Sequence, residues 1–568
     1  MIPKPQVRHS FSLIIDFVVV ILLVALLIEL IHIARHWEAP LQSQVVIDLR
    51  LRALPGYVLF SLFRGFAAYG LSLLFSIGYG YVAAHSERAE RVMIPLLDIL
   101  QSIPVLGFLP GTFLIFVTLF PRSNVGLELA SILMIFTGQV WNMTFSFYQS
   151  IRNIPSDLRE VTSLYQFSPW QRFRSVELPA SATGLAWNSM MSMAGGWFFL
   201  MVCEAFKLGP RDFRLPGLGA YMSVAIAEGN RHAIFFGVLA MVLMIVMVDT
   251  FLWKPLLAWT EMFRMDETSP GKGERSMILE WLRRSWILKK IHSNLLHPFS
   301  EWLSLRSQPA RSKPKLLVEK KSWSALTWLL GLVFLGGIIG LGLRFGQILI
   351  RVPVSEWIHL LAAALLSFLR VIAVVILGTL WTVPVGIWMG RSDRRRRQFQ
   401  PLVQVAASFP APMLYPLVLL GLHHLGCGLN FGSVILMLLG TQWYILFNVI
   451  AGASSVPEDL RETARTYHFT PAQTWWRLWL PAVSPYLVTG WVTAAGGAWN
   501  ASIVAEYVTL GKEQFVTTGL GSLISVAASQ GRYDLLAAGV LTMALLVVLI
   551  NRYLWKPLYR FVGARYVY

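Results

Sequence analysis

Two stretches of the chain decide its fold: PSDLREVTSLYQFSPWQRFRSVELP at residues 155–179 and PEDLRETARTYHFTPAQTWWRLWLP at residues 457–481. We call them the connector segments. They align without a gap at a constant offset of 302 residues, and the same offset places Glu204 on Glu506 and the LWKPL of residues 252–256 on that of residues 554–558. A repeat of this length indicates that the chain consists of two copies of one unit.

The composition places both copies in a membrane. Of the 568 residues, 55% are hydrophobic and only 14% are charged, which is not the composition of a soluble globular protein. The formal net charge of +18 comes from basic clusters between apolar runs, a pattern typical of cytoplasmic loops and not of a nucleic-acid-binding domain. The two cysteines, Cys203 and Cys427, lie in apolar surroundings, so we expect neither a disulfide framework nor a metal site.

Twelve apolar runs are long enough to cross a bilayer, which takes about 20 residues of helix. They lie near 11–33, 57–84, 93–120, 127–150, 182–206, 232–256, 324–345, 358–389, 400–424, 430–450, 484–508 and 533–556. We interpret the first as a retained span because it is longer than a signal-peptide core. The sequence therefore predicts an all-α polytopic membrane protein with about 12 transmembrane helices.

Three regions follow from this arrangement: a first repeat at residues 1–257, a basic linker at 258–322 and a second repeat at 323–568. Each repeat holds an even number of spans, so both insert in the same orientation and form a parallel tandem pair. The cluster RSDRRRR at 391–397 predicts that its side is cytoplasmic, together with both termini, the linker and the connector segments. The linker is either a helix lying on the membrane surface or a flexible tether.

Each connector segment predicts a helix, a tight turn and a second helix. Pro155 and Pro457 suit a first helical turn, and Ser168 and Thr470 stand before prolines at positions that favour a helix cap. We expect the first helices at about 157–166 and 459–468. Such a stiff element, joined directly to two spans, is suited to transmitting movement.

The connector segments resemble the cytoplasmic signature of the permease subunits of binding-protein-dependent ABC importers, which reads Glu-Ala-Ala, three residues, Gly, and later an aromatic residue and Leu-Pro. The matching positions in this chain are Glu160, Phe173, Leu178-Pro179, Glu462, Trp475 and Leu480-Pro481. Val161 and Thr162 replace the two alanines of the signature in the first copy. Gln166 and His468 stand where the family has glycine, which puts the geometry of the turn in question.

Two further motifs are similar to the nitrate, sulfonate and taurine branch of that family, which includes fused permeases. They are the GGWFFLMVCEAF and GGAWNASIVAEYV stretches that begin at Gly195 and Gly496, and the GLG triplets at 217–219 and 519–521. The resemblance implies the type I importer permease fold in a bacterial inner membrane, with a small oxyanion as the solute.

The resemblance also implies the partners. Two ATPase subunits would dock on the connector segments, and a periplasmic or lipid-anchored binding protein would deliver the solute. ATP and Mg²⁺ would be held by the ATPase subunits, because this chain has no phosphate-binding GxxxxGK[ST] motif and is not itself expected to be an enzyme or to bind a cofactor. The residues implied in ATPase coupling are Glu160, Tyr165, Gln166, Phe167, Glu462, Tyr467, His468 and Phe469.

Polar and aromatic residues within the spans are candidates for the translocation pathway, because neutral donors suit a solute that must bind loosely and leave. They are Gln139, Trp141, Asn142, Trp197, Glu204, Gln442, Trp443, Trp499, Asn500 and Glu506. Each has a structural alternative, namely packing between helices or, for the two carboxylates, hydrogen bonding to a neighbouring loop. The alternative for the whole chain is a secondary transporter of twelve spans driven by an ion gradient.

Overall fold

The computed structural model describes residues 31, 33–40, 46–208, 211–263, 277–286, 290, 293, 294, 298, 301, 325–426, 428–510 and 513–566. Most of the predicted first span at 11–33 and most of the linker at 258–322 lie outside these residues. Within them the chain is almost entirely helical, as the sequence predicts.

The described part of the first repeat begins with helical residues at 31 and 33–38, and eight helices follow, counting the short turns beside them as extensions. They are α1 (Leu54–His85), α2 (Glu87–Ser102), α3 (Leu109–Leu119), α4 (Val125–Arg152), α5 (Ser156–Leu164), α6 (Leu178–Glu204), α7 (Leu218–Ala227) and α8 (Arg231–Val248). A short linker helix, α9, covers Met277–Arg284.

The second repeat has the same order of helices after α10, which stands at its start. Its helices are α10 (Ala325–Ile350), α11 (Val354–Gly390), α12 (Asp393–Ser408), α13 (Tyr415–His424), α14 (Leu429–Ser454), α15 (Glu458–Thr466), α16 (Leu480–Ala505), α17 (Leu520–Ser529) and α18 (Tyr533–Ile550). Helices α1 to α8 thus correspond one by one to α11 to α18.

Even the irregular turns of the two repeats coincide. A π-helical turn precedes α6 at Phe173–Glu177 and precedes α16 at Trp475–Trp479, and another follows α8 at Asp249–Trp253 and follows α18 at Asn551–Trp555. Each pair lies 302 residues apart, the offset found in the sequence. The repeat therefore holds in backbone geometry as well as in residue identity.

Six of the described helical stretches are long and apolar enough to cross a membrane: Leu51–His85, Val125–Arg152, Arg231–Thr260, Val354–Gly390, Leu429–Ser454 and Tyr533–Arg565. The predicted span at 93–120 is a pair of helices bent by 79° where the chain passes Pro104. A bend at this place is expected because proline cannot continue the hydrogen-bond ladder of a helix. Helices α6 and α16, which occupy the predicted spans at 182–206 and 484–508, are 27 and 26 residues long and are not among these six.

Small residues allow the long helices to pack closely. A methyl group added at Gly138 on α4 would lie 2.2 Å from the Phe199 ring on α6, and one added at Gly386 on α11 would lie 2.5 Å from Val449 on α14. Lipid tails are as apolar as the helices, so the hydrophobic effect does not drive helices together within a membrane. Close packing of their backbones stabilises the association instead.

Each repeat also carries a two-stranded antiparallel hairpin after α6 or α16, which the sequence analysis does not predict. In the first, β1 (Lys207–Leu208) pairs with β2 (Arg211–Asp212); in the second, β3 (Tyr507–Leu510) pairs with β4 (Glu513–Val516). Hydrogen bonds from Arg214 lower the pKa of Asp212, although burial alone would raise it, so this carboxylate is charged at neutral pH.

Candidate functional site

The connector segments fold as the sequence predicts, with slightly earlier helix boundaries. The first helix of each is α5 or α15, nine residues long, and a tight turn follows. In that turn Gln166 has φ of 51° and His468 has φ of 50°. Both residues adopt the left-handed conformation that the family's glycine favours. The absence of glycine therefore leaves the turn intact and adds backbone strain.

The second helix of each connector segment begins with a capping box. The backbone N–H of Gln171 donates to the Ser168 hydroxyl at 3.2 Å, and the Ser168 N–H donates to the Gln171 side chain at 2.8 Å. Thr470 and Gln473 form the same pair of bonds at 3.3 and 2.9 Å. These bonds fix the direction in which the chain leaves the turn.

A glycine at the strained position is expected to stabilise each turn. The variants Gln166→Gly and His468→Gly should each raise the free energy of unfolding by about 1 kcal/mol, because a left-handed conformation costs most residues about 1–2 kcal/mol. Thermal unfolding of the purified protein measures this. Tyr165→Gly is the control, since Tyr165 has φ of −82° and glycine there should destabilise. Destabilisation by both turn glycines would contradict the assignment of strain.

The predicted coupling residues surround the tip of each connector segment. Glu160, Tyr165, Gln166 and Phe167 are exposed in the first, as are Glu462, Tyr467 and His468 in the second, while Phe469 is half-buried. The two tyrosines among them, Tyr165 and Tyr467, are 75% and 73% exposed. The structure thus gathers these residues at the surface, as docking on another protein requires.

An arginine ties each connector helix to the long helix before it. Arg159 donates to the carbonyls of Ile151 and Arg152 at 3.0 and 2.6 Å, and Arg461 donates to that of Ala453 at 3.2 Å. These carbonyls lie in the last turn of α4 or α14, where no intrahelical donor remains. The arginine of the PxDLRE motif therefore links the first connector helix to the long helix before it by hydrogen bonds. The sequence analysis does not predict this role.

A cavity of about 240 Å³ lies between the two repeats and is lined by both. Its polar wall includes Asn142 on α4 and Tyr444 on α14, and the bends after α2 and α12 also contribute to it. No Asp, Glu, Lys or Arg lines it among the residues that the structure describes. The cavity is therefore neutral, with aromatic and amide groups on its surface.

Five of the predicted pathway residues line this cavity and five do not. Those in its wall are Trp141, Asn142, Trp443, Trp499 and Asn500. Asn500 also joins the repeats, because its side-chain oxygen accepts a hydrogen bond from the Leu106 N–H at 3.4 Å.

The other five are engaged elsewhere in the helix bundle. Gln139 and Trp197 are buried against α6 and α1, where a methyl group added at Gly196 or Gly65 would collide with them. Gln442 accepts a hydrogen bond from the Trp381 indole at 3.1 Å. Glu204 and Glu506 are fully buried in ion clusters, which corresponds to the structural alternative for these carboxylates.

The cluster in the first repeat is built around Arg64, which is 1% exposed. Its guanidinium donates two hydrogen bonds to Glu128, at 2.6 and 2.7 Å, and one to Glu204 at 2.7 Å. Glu204 also accepts from the Ser61 hydroxyl at 2.8 Å and from the Gly219 N–H at 2.7 Å, at the start of α7. Buried charges need such full pairing, because unpaired they cost several kcal/mol.

The glycine triplets make room for these carboxylates. A methyl group added at Gly217 would lie 2.3 Å from the Glu204 carboxyl, and one at Gly519 would lie 2.2 Å from that of Glu506. The repeated GLG pattern therefore has a steric origin.

The second repeat builds the same cluster with one charge fewer. Arg370 donates to Glu506 at 2.9 Å, and the Ser367 hydroxyl donates to Glu506 at 2.7 Å. The position of Glu128 is taken by Asn430, which accepts from Arg370 at 3.3 Å. One cluster thus holds two carboxylates around its arginine, and the other holds a single carboxylate.

Comparison with known proteins agrees with this architecture. The taurine transport system permease protein TauC of Escherichia coli is 28% identical over 195 residues, 34% of this chain and 66% of its own length. The nitrate import permease protein NrtB of Synechocystis is 23% identical over 172 residues, 30% of this chain and 59% of its own length. Each alignment therefore covers about one repeat, and the chain spans less than two thirds of these two relatives.

The family model described as "Binding-protein-dependent transport system inner membrane component" matches the chain twice, at residues 76–252 and 382–554. The two matches cover more than half of the chain, and each contains a connector segment together with the long helices on either side of it. The chain therefore belongs to the family of inner membrane components of binding-protein-dependent transport systems, with two copies of the family's domain in one polypeptide.

Proposed function

We propose that this chain forms the complete translocation pathway of an ATP-driven importer for a small oxyanion. One observation carries the proposal: the helices that hold each connector segment also form the cavity wall. In the first repeat, α4 carries Trp141 and Asn142 and α6 carries Gly195; in the second, α14 carries Tyr444 and α16 carries Asn500. A force on either connector segment therefore acts directly on the pathway.

The partners of the proposed importer follow from family membership. Two ATPase subunits dock on the connector segments at the cytoplasmic side, and a binding protein delivers the solute to the opposite side. ATP and Mg²⁺ reside on the ATPases. Closure of the ATPase pair moves both connector segments together and changes which side of the cavity is open.

The cavity suits a small anion that is passed on and not retained. Its volume of about 240 Å³ is below the roughly 300–1,000 Å³ of pockets for drug-sized ligands. The Trp141 indole, the Asn142 amide and the Tyr444 hydroxyl line it and have no hydrogen-bond partner among the described residues. Such neutral donors can hold an oxyanion without the strong attraction that would trap it. Relatives of this chain include permease proteins named for the transport of taurine, nitrate, aliphatic sulfonates and bicarbonate.

The buried carboxylates do not suggest coupling to an ion gradient. Glu204 and Glu506 are each paired with an arginine and with a backbone N–H, and neither reaches the cavity. We therefore favour ATP-driven transport over the secondary-transporter alternative.

Reconstitution tests the proposal. The full chain is placed in liposomes with ABC ATPases of its source organism and with candidate binding proteins, and nitrate, bicarbonate, taurine and an alkanesulfonate are offered in turn. We expect one of these solutes, with its binding protein, to stimulate ATP hydrolysis and to accumulate. Full-speed uptake on a proton or sodium gradient without any ATPase would contradict the proposal.

A side chain that fills the cavity should strongly reduce this uptake. Gly496 lines the cavity, and a methyl group added there meets no atom within 4 Å, so Gly496→Leu projects into open space without disturbing the fold. We expect uptake to fall at least tenfold. Gly70→Leu is the matched control, because Gly70 also has free space around it but lies away from the cavity. Equal uptake by both variants would show that this cavity is not the pathway.

A further inference from the structure

The two connector segments share a backbone but present different surfaces. Their first helices are both nine residues long, their turns have φ angles within a degree of each other, and both carry the same capping box. Glu160 and Tyr165 of the first recur as Glu462 and Tyr467 of the second. Phe167 also recurs, as Phe469. Other residues of the first helices, at 161, 163 and 164 in the first segment, differ in chemistry from their counterparts.

The first connector segment has an apolar surface. Besides Tyr165, the exposed large hydrophobic residues are Val161 at 43%, Leu164 at 78% and Phe167 at 37%. An apolar patch that faces water on a protruding element is typical of a surface that another protein covers.

The second connector segment is polar where the first has Val161 and Leu164, whereas Phe167 recurs as the half-buried Phe469. Thr463, Thr466 and Arg465 replace Val161, Leu164 and Ser163, and the Arg465 side chain is 76% exposed. Arg461 and Arg465 lie 3.4 and 4.0 Å from Glu458, a position where the first segment has Ser156. Of the large hydrophobic side chains around this tip, only Tyr467 is among the exposed ones described.

The difference continues to the base of each segment. Glu177, which is 1% exposed, pairs with Arg172 at 2.7 Å and with His85 at 2.9 Å. The residue 302 positions later is Trp479, whose ring lies 5.5 Å from the Arg461 guanidinium. The two segments thus differ in the interactions that hold their bases as well as in the surfaces that they expose.

We propose that the two connector segments dock on two different ATPase polypeptides, one with an apolar cleft and one with a cleft that offers a carboxylate to Arg465. A cleft that matches one surface binds the other less well, since Leu164 would meet a charged wall or Arg465 an apolar one. The glutamate and tyrosine that both segments share form the contacts that are common to both ATPases. This inference rests on the proposed function, in which the connector segments dock on ATPases.

The test exchanges the two surfaces. The full chain is co-expressed with two ABC ATPases of its source organism that carry different affinity tags, and the composition of the purified complex is determined by native mass spectrometry. The first variant, V161T/S163R/L164T, gives both segments the polar surface. The second, T463V/R465S/T466L, gives both the apolar surface. The third combines all six substitutions.

With the wild-type chain we expect one copy of each ATPase. The first variant should lose at least about nine tenths of one ATPase, because burial of a leucine side chain is worth roughly tenfold or more in affinity, and the second variant should lose the other. The sixfold variant is the control: it should regain one copy of each ATPase, because each surface is again present once.

Two results would overturn the inference alone: a fully active wild-type complex with two copies of one ATPase, or both single-segment variants with the wild-type composition. A chain that transports its solute while binding no ATPase would overturn the proposed function as well. These outcomes are distinguishable in the same purified samples.

Discussion

An Arg64→Met variant is expected to lose about 3–5 kcal/mol of stability, the usual cost of removing one partner from a buried ion pair. Arg64 is the cation between Glu128 and Glu204, and both carboxylates are fully buried. Without it, two negative charges face each other in an apolar interior, so the folded state must take up a proton or admit water. Thermal unfolding in detergent, followed by size-exclusion chromatography, measures the loss.

The second repeat supplies the matched control. Arg370→Met removes the equivalent arginine, but Arg370 is 10% exposed and faces one carboxylate and the neutral Asn430. Its loss should cost clearly less than the loss of Arg64. Equal unfolding temperatures for the two variants would contradict the claim that the cluster with two carboxylates depends more strongly on its arginine.

Uptake should fall roughly 30-fold or more in the double variant Glu160→Ala, Glu462→Ala, while the protein remains inserted and folded. Both carboxylates are exposed at the tips of the connector segments, and truncating one partner of a charge pair that becomes buried on docking costs about 2–5 kcal/mol. The measurement is ATP-dependent uptake by liposomes that contain the chain and its ATPases.

Glu87→Ala is the control for this variant. Glu87 is also an exposed carboxylate near a helix start, 84% exposed and 3.7 Å from Arg91, but it lies outside the connector segments. We expect normal uptake. Unchanged uptake in the double variant would show that these glutamates do not couple the chain to an ATPase.

The sequence predicts the repeat and the connector segments well because both depend on local patterns. Three patterns can be recognised without knowledge of distant contacts. They are residues four apart on a nine-residue helix, prolines at helix starts and the constant offset between the two repeats. The left-handed turn could not be read in this way, since Gln166 and His468 are not residues that predict it. It was implied only by the resemblance to the family.

The role of the buried carboxylates could not be predicted locally. Glu204 meets Arg64 across 140 residues of sequence, and no short pattern reports such a contact. A usable signal was present nonetheless: Arg64 lies within an apolar helix and recurs as Arg370, and an arginine inside a span requires a partner. The lining of the cavity could not be predicted fully for the same reason. Aromatic residues that line the cavity and aromatic residues that pack between helices cannot be told apart by their sequence context.

The hairpins after α6 and α16 were missed for a different reason. Gly209 and Pro210 form a dipeptide typical of turns, and Gly511 stands at the matching place in the second repeat, so the turn signal exists. The strands are too short for an alternating pattern to be detected.

The substitution of Glu128 by Asn430 shows what fusion of the two repeats permits. In a pore assembled from two identical chains, every mutation appears twice, and a change tolerated on one side must be tolerated on the other. Covalent linkage removes that constraint, so each half of this molecule can acquire its own electrostatics and its own neighbours. Evolutionary divergence between the halves then becomes a source of new specificity.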